Sequence, residues 1–207
     1  IKEYLKKSIA VKNAALVDQE FLENAEKAGR TIHDVLIAGR RIYIAGVGGA
    51  AAESQHFSAE LLGKYKSMRK AFPAVALTTD TSLLTAWAND TSFDFIFSRQ
   101  LEGLGQKEDI FVALSAGGNS PSILEALKVA KSLGMISICL LGKGGGQAKN
   151  LCTIPVVVPS DVTSHIQEVH LTLIHVVCEY LEDLSPETLA IRSMRLVVES
   201  CEVREMI

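Results

Sequence analysis

Charge of one sign is what this sequence has little of. Its 21 Lys and Arg nearly balance 24 Asp and Glu, leaving a formal net charge of -3 over 207 residues. That excludes a chain whose main partner is captured by bulk electrostatics, whether nucleic acid or an anionic membrane. The four cysteines (Cys139, Cys152, Cys178, Cys201) are scattered, with no C-x-x-C pair. They exclude a disulfide framework and read as buried thiols of a cytoplasmic protein. No apolar run approaches the roughly 20 residues of a membrane span, and no basic start leads into an apolar stretch as in a signal peptide. Internal repeats and low-complexity linkers are missing as well. What is present is ordinary for a folded domain: 48% hydrophobic and 22% charged residues, a poor fit to disorder, collagen or coiled coil. The length suffices for one sizeable core, in one domain or at most two, and a soluble cytoplasmic protein is the expectation.

The first forty residues carry apolar side chains at helical spacing, from Leu5 and Ile9 through Phe21 and Ala28 to Val35 and Leu36. Gly29 is tolerated there or marks a break, and Gly39 is a natural stop. From Ile42 the rhythm changes. Short apolar runs at Ile42–Ala45, Pro73–Leu77, Asp109–Leu114, Met135–Leu141 and Ile154–Val158 predict five strands. Helices are expected over Ala50–Leu62, Thr81–Ala88 and Phe93–Leu104, from Ser120-Pro121, and over Val162–Leu184. Proline suits a first helical position because its missing N–H would be unpaired there anyway. Continuous apolar strands alternating with helices imply a parallel sheet covered on both faces, an α/β three-layer fold. Ser185-Pro186-Glu187 looks like a fresh helix start, with Leu189, Leu196, Val197 and Val203 on a possible amphipathic helix.

Three strands run into loops rich in Gly or Ser: Gly46-Val47-Gly48-Gly49, Ser115-Ala116-Gly117-Gly118-Asn119-Ser120, and Gly142 to Gly146. Ligands of open α/β sheets lie beyond the carboxyl ends of the strands. Glycine admits close backbone approach, and the N-terminus of the following helix offers free N–H groups to an anion. Any one loop could simply close a tight turn; the three together favour an anionic ligand. Neither a dinucleotide fingerprint nor a Walker A motif is complete, so a nucleotide cofactor is not supported.

Polar groups cluster on two of the expected helices. His56 and Glu60, four residues apart, share one face and suit a metal, an acid/base pair or a surface ion pair. On the last long helix Gln167 and His175 lie about 80° apart at roughly 100° per residue, so both can face one site. His170 points elsewhere, roughly 140° from His175 by the same geometry. Trp87 suits a pocket wall or helix packing, Arg99 a distant anion or solvent, and Lys64 and Tyr65 the border of the site or exposed surface.

Gly-x-Gly-Gly followed by Gln55-His56-Phe57, Glu60-Leu61 and Tyr65 resembles the sedoheptulose-7-phosphate isomerase (phosphoheptose isomerase) family. Ala88-Asn89-Asp90, Ile96-Phe97-Ser98-Arg99-Gln100, Ser115 to Ser120 and Ile166-Gln167-Glu168-Val169-His170 continue the match in order, over roughly Leu5 to Leu184. The resemblance implies a sugar isomerase (SIS) domain: a flavodoxin-like three-layer αβα sandwich with a five-stranded parallel sheet preceded by N-terminal helices. It implies a homotetramer with sites between subunits, and no nucleic-acid or membrane partner. The implied activity converts sedoheptulose 7-phosphate to D-glycero-D-manno-heptose 7-phosphate, towards the heptose of lipopolysaccharide or surface polysaccharide. Carried over, His56, Glu60, Gln167 and His175 match zinc ligands, with one Zn2+ per subunit. Glu60 matches the catalytic base and His175 its acid/base partner. Gly48, Gly49, Glu60, Asn89, Asp90, Ser115, Ala116, Gly117, Ser120 and Gln167 match substrate-binding positions.

Departures fall at the ligand. Val47-Gly48-Gly49-Ala50 stands where the family usually has Asn-Gly-Gly-Ser, Ala116-Gly117 where it has Thr-Ser, and Ser164 where it often has Asp. A lost hydrogen bond to a charged group costs roughly 1.5–3 kcal/mol, whereas backbone N–H groups and helix N-termini survive these changes. Alternatives to the implied activity are isomerisation of a different sugar phosphate and a non-catalytic SIS module. The expected organisation is a SIS domain over residues 1–184 and a helical extension over 185–207.

Overall fold

The computed structural model describes residues 1–184; the expected helical extension over 185–207 lies outside the described residues. Two helices open the chain, α1 (Lys2–Val17) and α2 (Gln19–Ile37). The break falls at Asp18, not at Gly29. The Asp18 carboxylate accepts a hydrogen bond from the Phe21 backbone N–H at 3.0 Å and so caps α2. Gly29 continues the helix beside Val177 and Tyr180. Gly39 takes a left-handed φ of +75° just past the end of α2, as a helix stop requires.

Five parallel strands follow: β1 (Ile42–Gly46), β2 (Ala74–Ala76), β3 (Ile110–Ser115), β4 (Ile136–Leu141) and β5 (Ile154–Val157). Their spatial order is β2-β1-β3-β4-β5, the doubly wound flavodoxin-like order. The connecting helices are α3 (Gly49–Leu62), α4 (Thr81–Asp90), α5 (Ser98–Leu104), α6 (Pro121–Ser132), α7 (Ala148–Leu151) and α8 (Thr163–Asp183). Pro121 occupies the first turn of α6, as expected. The single helix expected over Phe93–Leu104 is instead a 3-10 turn at Phe93–Phe95 followed by α5. The Ser92 hydroxyl accepts from the Asp94 N–H and starts that turn separately. The short helix α7 had no sequence expectation.

Successive strand side chains point to opposite faces, and two cores result. Ile42, Ile44, Ile110, Val112, Leu114 and Ile138 meet α1, α2, α3 and α8 on one face. Tyr43, Ala45, Phe111, Ala113 and Cys139 meet α5, α6 and α7 on the other. Cys152 departs from the expectation of buried thiols: it lies after α7 and is only half-buried, while Cys139 and Cys178 are buried.

The strand order locates the ligand crevice. The connection from β1 leads to one side of the sheet and that from β3 to the other, so the two loops part between these strands. Gly46 pairs in register with Leu114, and Ser115 with Leu141, so the loops after β1, β3 and β4 leave the same edge together. Ligands of this architecture bind at that switch point. α8 returns across the sheet and packs on α3, bringing a second helix to the same edge.

Candidate functional site

The site is built where α3 and α8 cross. His56 Nε2 lies 3.0 Å from His175 Nε2, with ring centroids 5.2 Å apart. Glu60 Oε1 lies 3.7 Å from His56 Nε2, one turn along α3. Both side chains remain accessible, His56 at 39% and Glu60 at 22%, so a ligand can reach them. Tyr65, just beyond α3, stacks on the other side of His175, with centroids 5.6 Å apart and planes inclined by 26°.

Gln167 approaches from the N-terminal half of α8. A Cβ placed on Gly49 would stand 2.5 Å from Gln167 Nε2, so the amide rests on the bare glycine at the first turn of α3. Gly48 before it has φ +65° and open space around it, and no side chain caps α3. The first N–H groups of α3 therefore face the crevice, a setting suited to an anion.

No group of three or more His, Cys, Asp or Glu among the described residues is arranged to hold a metal ion. Of the four donors that the resemblance implies, His56, Glu60 and His175 converge, while Gln167 rests on Gly49. The two imidazoles hydrogen-bond to each other, and Glu60 stands off His56.

His170 faces away, as expected. It is fully buried, with Nε2 hydrogen-bonded to the Leu141 carbonyl at 3.1 Å. Its Nδ1 stands 3.9 Å from Glu53 Oε2, and neither atom has a hydrogen-bond partner. Glu53 went unremarked in the sequence, although it lies three residues before His56 on a neighbouring helical face.

The loop after β3 leads into the N-terminus of α6. Ser115 Oγ accepts from the Gly118 N–H at 3.2 Å, and Ser120 Oγ pairs with Ser122 Oγ at 3.2 Å. Ala116 and Gly117 lie half-buried on the same turn. The glycines of the 142–146 loop serve packing. Gly118 O accepts from the Ala148 N–H at 2.9 Å, and Asn119 Oδ1 accepts from the Gln147 N–H at 3.0 Å. A Cβ on Gly118 would overlap Gly145 O, and one on Gly146 would overlap Gly117 O. The loop after β4 thus locks onto the loop after β3.

Asn89 and Asp90 end α4, exposed, with Asn89 Nδ2 donating to Asp90 Oδ1 at 2.9 Å. These two are not brought into contact with the His56 cluster within one chain. Trp87 lies beneath the Arg99 guanidinium at 4.7 Å, and Arg99 also pairs with Glu102, so both serve the local helix surface. Lys64 is exposed and Ser164 lies on the exposed first turn of α8.

The SIS domain family model matches residues 3–142. Phosphoheptose isomerase 1 of Campylobacter jejuni is 50% identical over 157 residues, covering 76% of this chain and 84% of its own length. The phosphoheptose isomerase of Bradyrhizobium is 45% identical over 182 residues, covering 88% and 92%. Among solved structures, phosphoheptose isomerase from Neisseria gonorrhoeae superposes with a TM-score of 0.83 at 36% identity, over 88% of this chain and 97% of that one. The enzyme from Francisella tularensis gives 0.84 at 31% identity, over 88% and 96%.

Proposed function

Because the chain belongs to the SIS-domain family of phosphoheptose isomerases, we propose that it converts sedoheptulose 7-phosphate to D-glycero-D-manno-heptose 7-phosphate. The product would feed the heptose of lipopolysaccharide or surface polysaccharide. The observation that carries this reading is the convergence of His56 and Glu60 of α3 with His175 of α8 beside the crevice beyond β1 and β3.

Moving a carbonyl from C2 to C1 needs a base at carbon and a proton carrier at oxygen. Glu60 takes a proton from C1, and His175 supplies one to O2, giving an enediol. The O1 proton then leaves through His175 while Glu60 returns a proton to C2, leaving an aldehyde at C1. No atom is gained or lost. Gly48, Gly49 and the open N-terminus of α3, with Gln167, line the sugar end. The phosphate would meet the Ser115-Ala116-Gly117 turn and Ser120 at the N-terminus of α6. The Ser115 hydroxyl accepts from the Gly118 N–H and keeps its own proton to donate to a phosphate oxygen. Asn89 and Asp90 would complete the sugar site across a subunit boundary.

Zinc is the cofactor of this reading. Two imidazole nitrogens 3.0 Å apart with a carboxylate beside them are donors of the type it takes, and His56, Glu60, Gln167 and His175 would hold it. Bound there, it supplies polarisation of the carbonyl and stabilises negative charge on oxygen. A homotetramer also belongs to the reading. An apolar groove of about 460 Å³ between α1, α2 and α8, lined by Leu16, Leu22, Leu173 and Val176, supports burial against another copy. No helix among the described residues is long and apolar enough to cross a membrane.

The test is turnover of sedoheptulose 7-phosphate by protein of measured zinc content, with the aldose product followed directly and Glu60→Gln alongside. Product from the parent and none from the variant is expected. A folded, zinc-loaded parent that forms no product overturns the assignment and turns the search to other sugar phosphates.

A further inference from the structure

His175 is held from a direction that the proposed chemistry does not use. Tyr65, stacked on it, belongs to the segment of residues 63–73 between α3 and β2, which contains no helix or strand. Such a segment keeps one conformation only if its backbone groups find partners. At residues 65–67 the N–H groups find one carboxylate. Glu182, in the last turn of α8, accepts from the N–H of Tyr65 at 2.8 Å, of Lys66 at 3.0 Å and of Ser67 at 2.8 Å.

We propose that Glu182 is a positioning residue for the isomerisation, seating the Tyr65 ring on His175 through the backbone of residues 65–67. The inference rests on the function proposed above. Glu182 lies seven residues after His175 on the same face of α8, so one helix presents both the imidazole and the anchor of the ring that covers it.

Its burial shows that the carboxylate is built in. The Glu182 side chain is 5% exposed and that of Arg69 is 2%, with Arg69 Nε 3.5 Å from Glu182 Oε1. A buried carboxylate persists only when paired and hydrogen-bonded. Arg69 also donates to the carbonyls of Glu60, at 2.7 Å, and Leu61, at 3.0 Å. The cluster therefore ties the end of α8 to the turn of α3 that carries Glu60.

The ring then restricts the imidazole. With one face against Tyr65 and Nε2 directed at His56, His175 is held in one orientation. Partners that fix the orientation of a functional histidine typically govern activity by roughly ten- to hundred-fold.

The experiment uses the full chain, with steady-state turnover of sedoheptulose 7-phosphate and the NMR shifts of the His175 ring protons, which the stacked tyrosine displaces. Tyr65→Phe keeps the ring and is expected to keep both readouts. Tyr65→Ala and Glu182→Gln are each expected to lower kcat roughly ten- to hundred-fold with little change in KM, and to move the His175 resonances alike. The double variant should be no slower than Tyr65→Ala alone, because both act through one contact. If Glu182→Gln does not fold, Glu182→Asp, which keeps the charge but draws it back from the N–H groups, gives the same two readouts. Parent-like kcat and shifts in the Glu182 variant, or losses that multiply in the double variant, overturn the proposal. A parent without turnover overturns the isomerase reading instead, and the His175 shifts still decide whether Glu182 positions the ring.

Discussion

Replacing Gly49 with Ala separates activity from stability. Gly49 opens α3, and its φ lies outside the left-handed region, so a side chain costs the backbone nothing there. Removing a glycine stabilises such a position by about 0.4–1 kcal/mol, chiefly by restricting the unfolded chain. The new Cβ would stand 2.5 Å from Gln167 Nε2 and 3.3 Å from its Cδ and Oε1, whereas ordinary contact begins at 3.4 Å. The amide can swing away, because it ends a flexible side chain, but it must retreat by about 1 Å, a displacement that can cost on the order of 100-fold in rate. The expected variant melts at or above the parent temperature and turns over sedoheptulose 7-phosphate on the order of 10- to 100-fold more slowly. Gly48→Ala is the control. Its φ of +65° in open space strains the backbone, by about 1–3 kcal/mol, without touching Gln167. Paired thermal melts and kcat/KM measurements decide. A Gly49→Ala protein with parent-like kcat/KM would refute a role for the Gln167 amide in the place where it rests.

Further expectations follow from the loops, the carboxylates and the thiols. Gly118→Ala combines a left-handed φ of +63° with overlap on Gly145 O. It should cost about 3 kcal/mol or more in urea denaturation, and a loss below the error of the fit would show that the two loops do not interlock in solution. Burial pushes the Glu182 carboxyl up, but the N–H groups of Ser67, Tyr65 and Lys66, with Arg69, more than offset this and hold it below its ordinary value of 4.5. Its stabilisation is therefore complete above about pH 4.5 and lost as pH falls through the lower native value. The advantage of the parent over Glu182→Gln, about 3 kcal/mol at neutral pH, should shrink on acidification, and a constant gap would contradict the assignment. Of the three described thiols, half-buried Cys152 is lowered by its hydrogen bond with Cys139. Cys139 is raised by the same contact and by burial, and Cys178 is pushed up to about 12 by burial and by the Glu60 charge. Alkylation under native conditions, mapped by peptide mass spectrometry, should label Cys152 first; earlier labelling of Cys178 would show that α3 and α8 separate readily.

Much of this architecture was legible in the sequence because it rests on local rules. Apolar runs such as Ile42–Ala45 can be buried on both faces only in a covered parallel sheet. Pro121 and Gly39 mark helix ends by chemistry confined to single residues. The four-residue spacing of His56 and Glu60 puts them on one face wherever the helix goes. Gln167 and His175 were likewise legible as a pair on one helix. The interruption at Asp18 and the division of Phe93–Leu104 were missed, since each depends on a single side chain accepting from a particular backbone N–H.

The meeting of the two helix faces is another matter. That α8 crosses α3 so that His175 reaches His56 follows from the strand order and from a contact spanning 119 residues. No spacing rule encodes it. Glu182 carries no signal in the sequence, because its partners are backbone N–H groups more than a hundred residues earlier. Glu53 was equally silent, and only burial brought it to face His170. The sequence by itself determined the layers, the strand edges and the residue types at the site, since periodicity and capping act within a few residues. Tertiary structure decided which of those residues touch and which glycines pack rather than bind, because burial and hydrogen-bond pairing are settled only when distant segments compete for the same space.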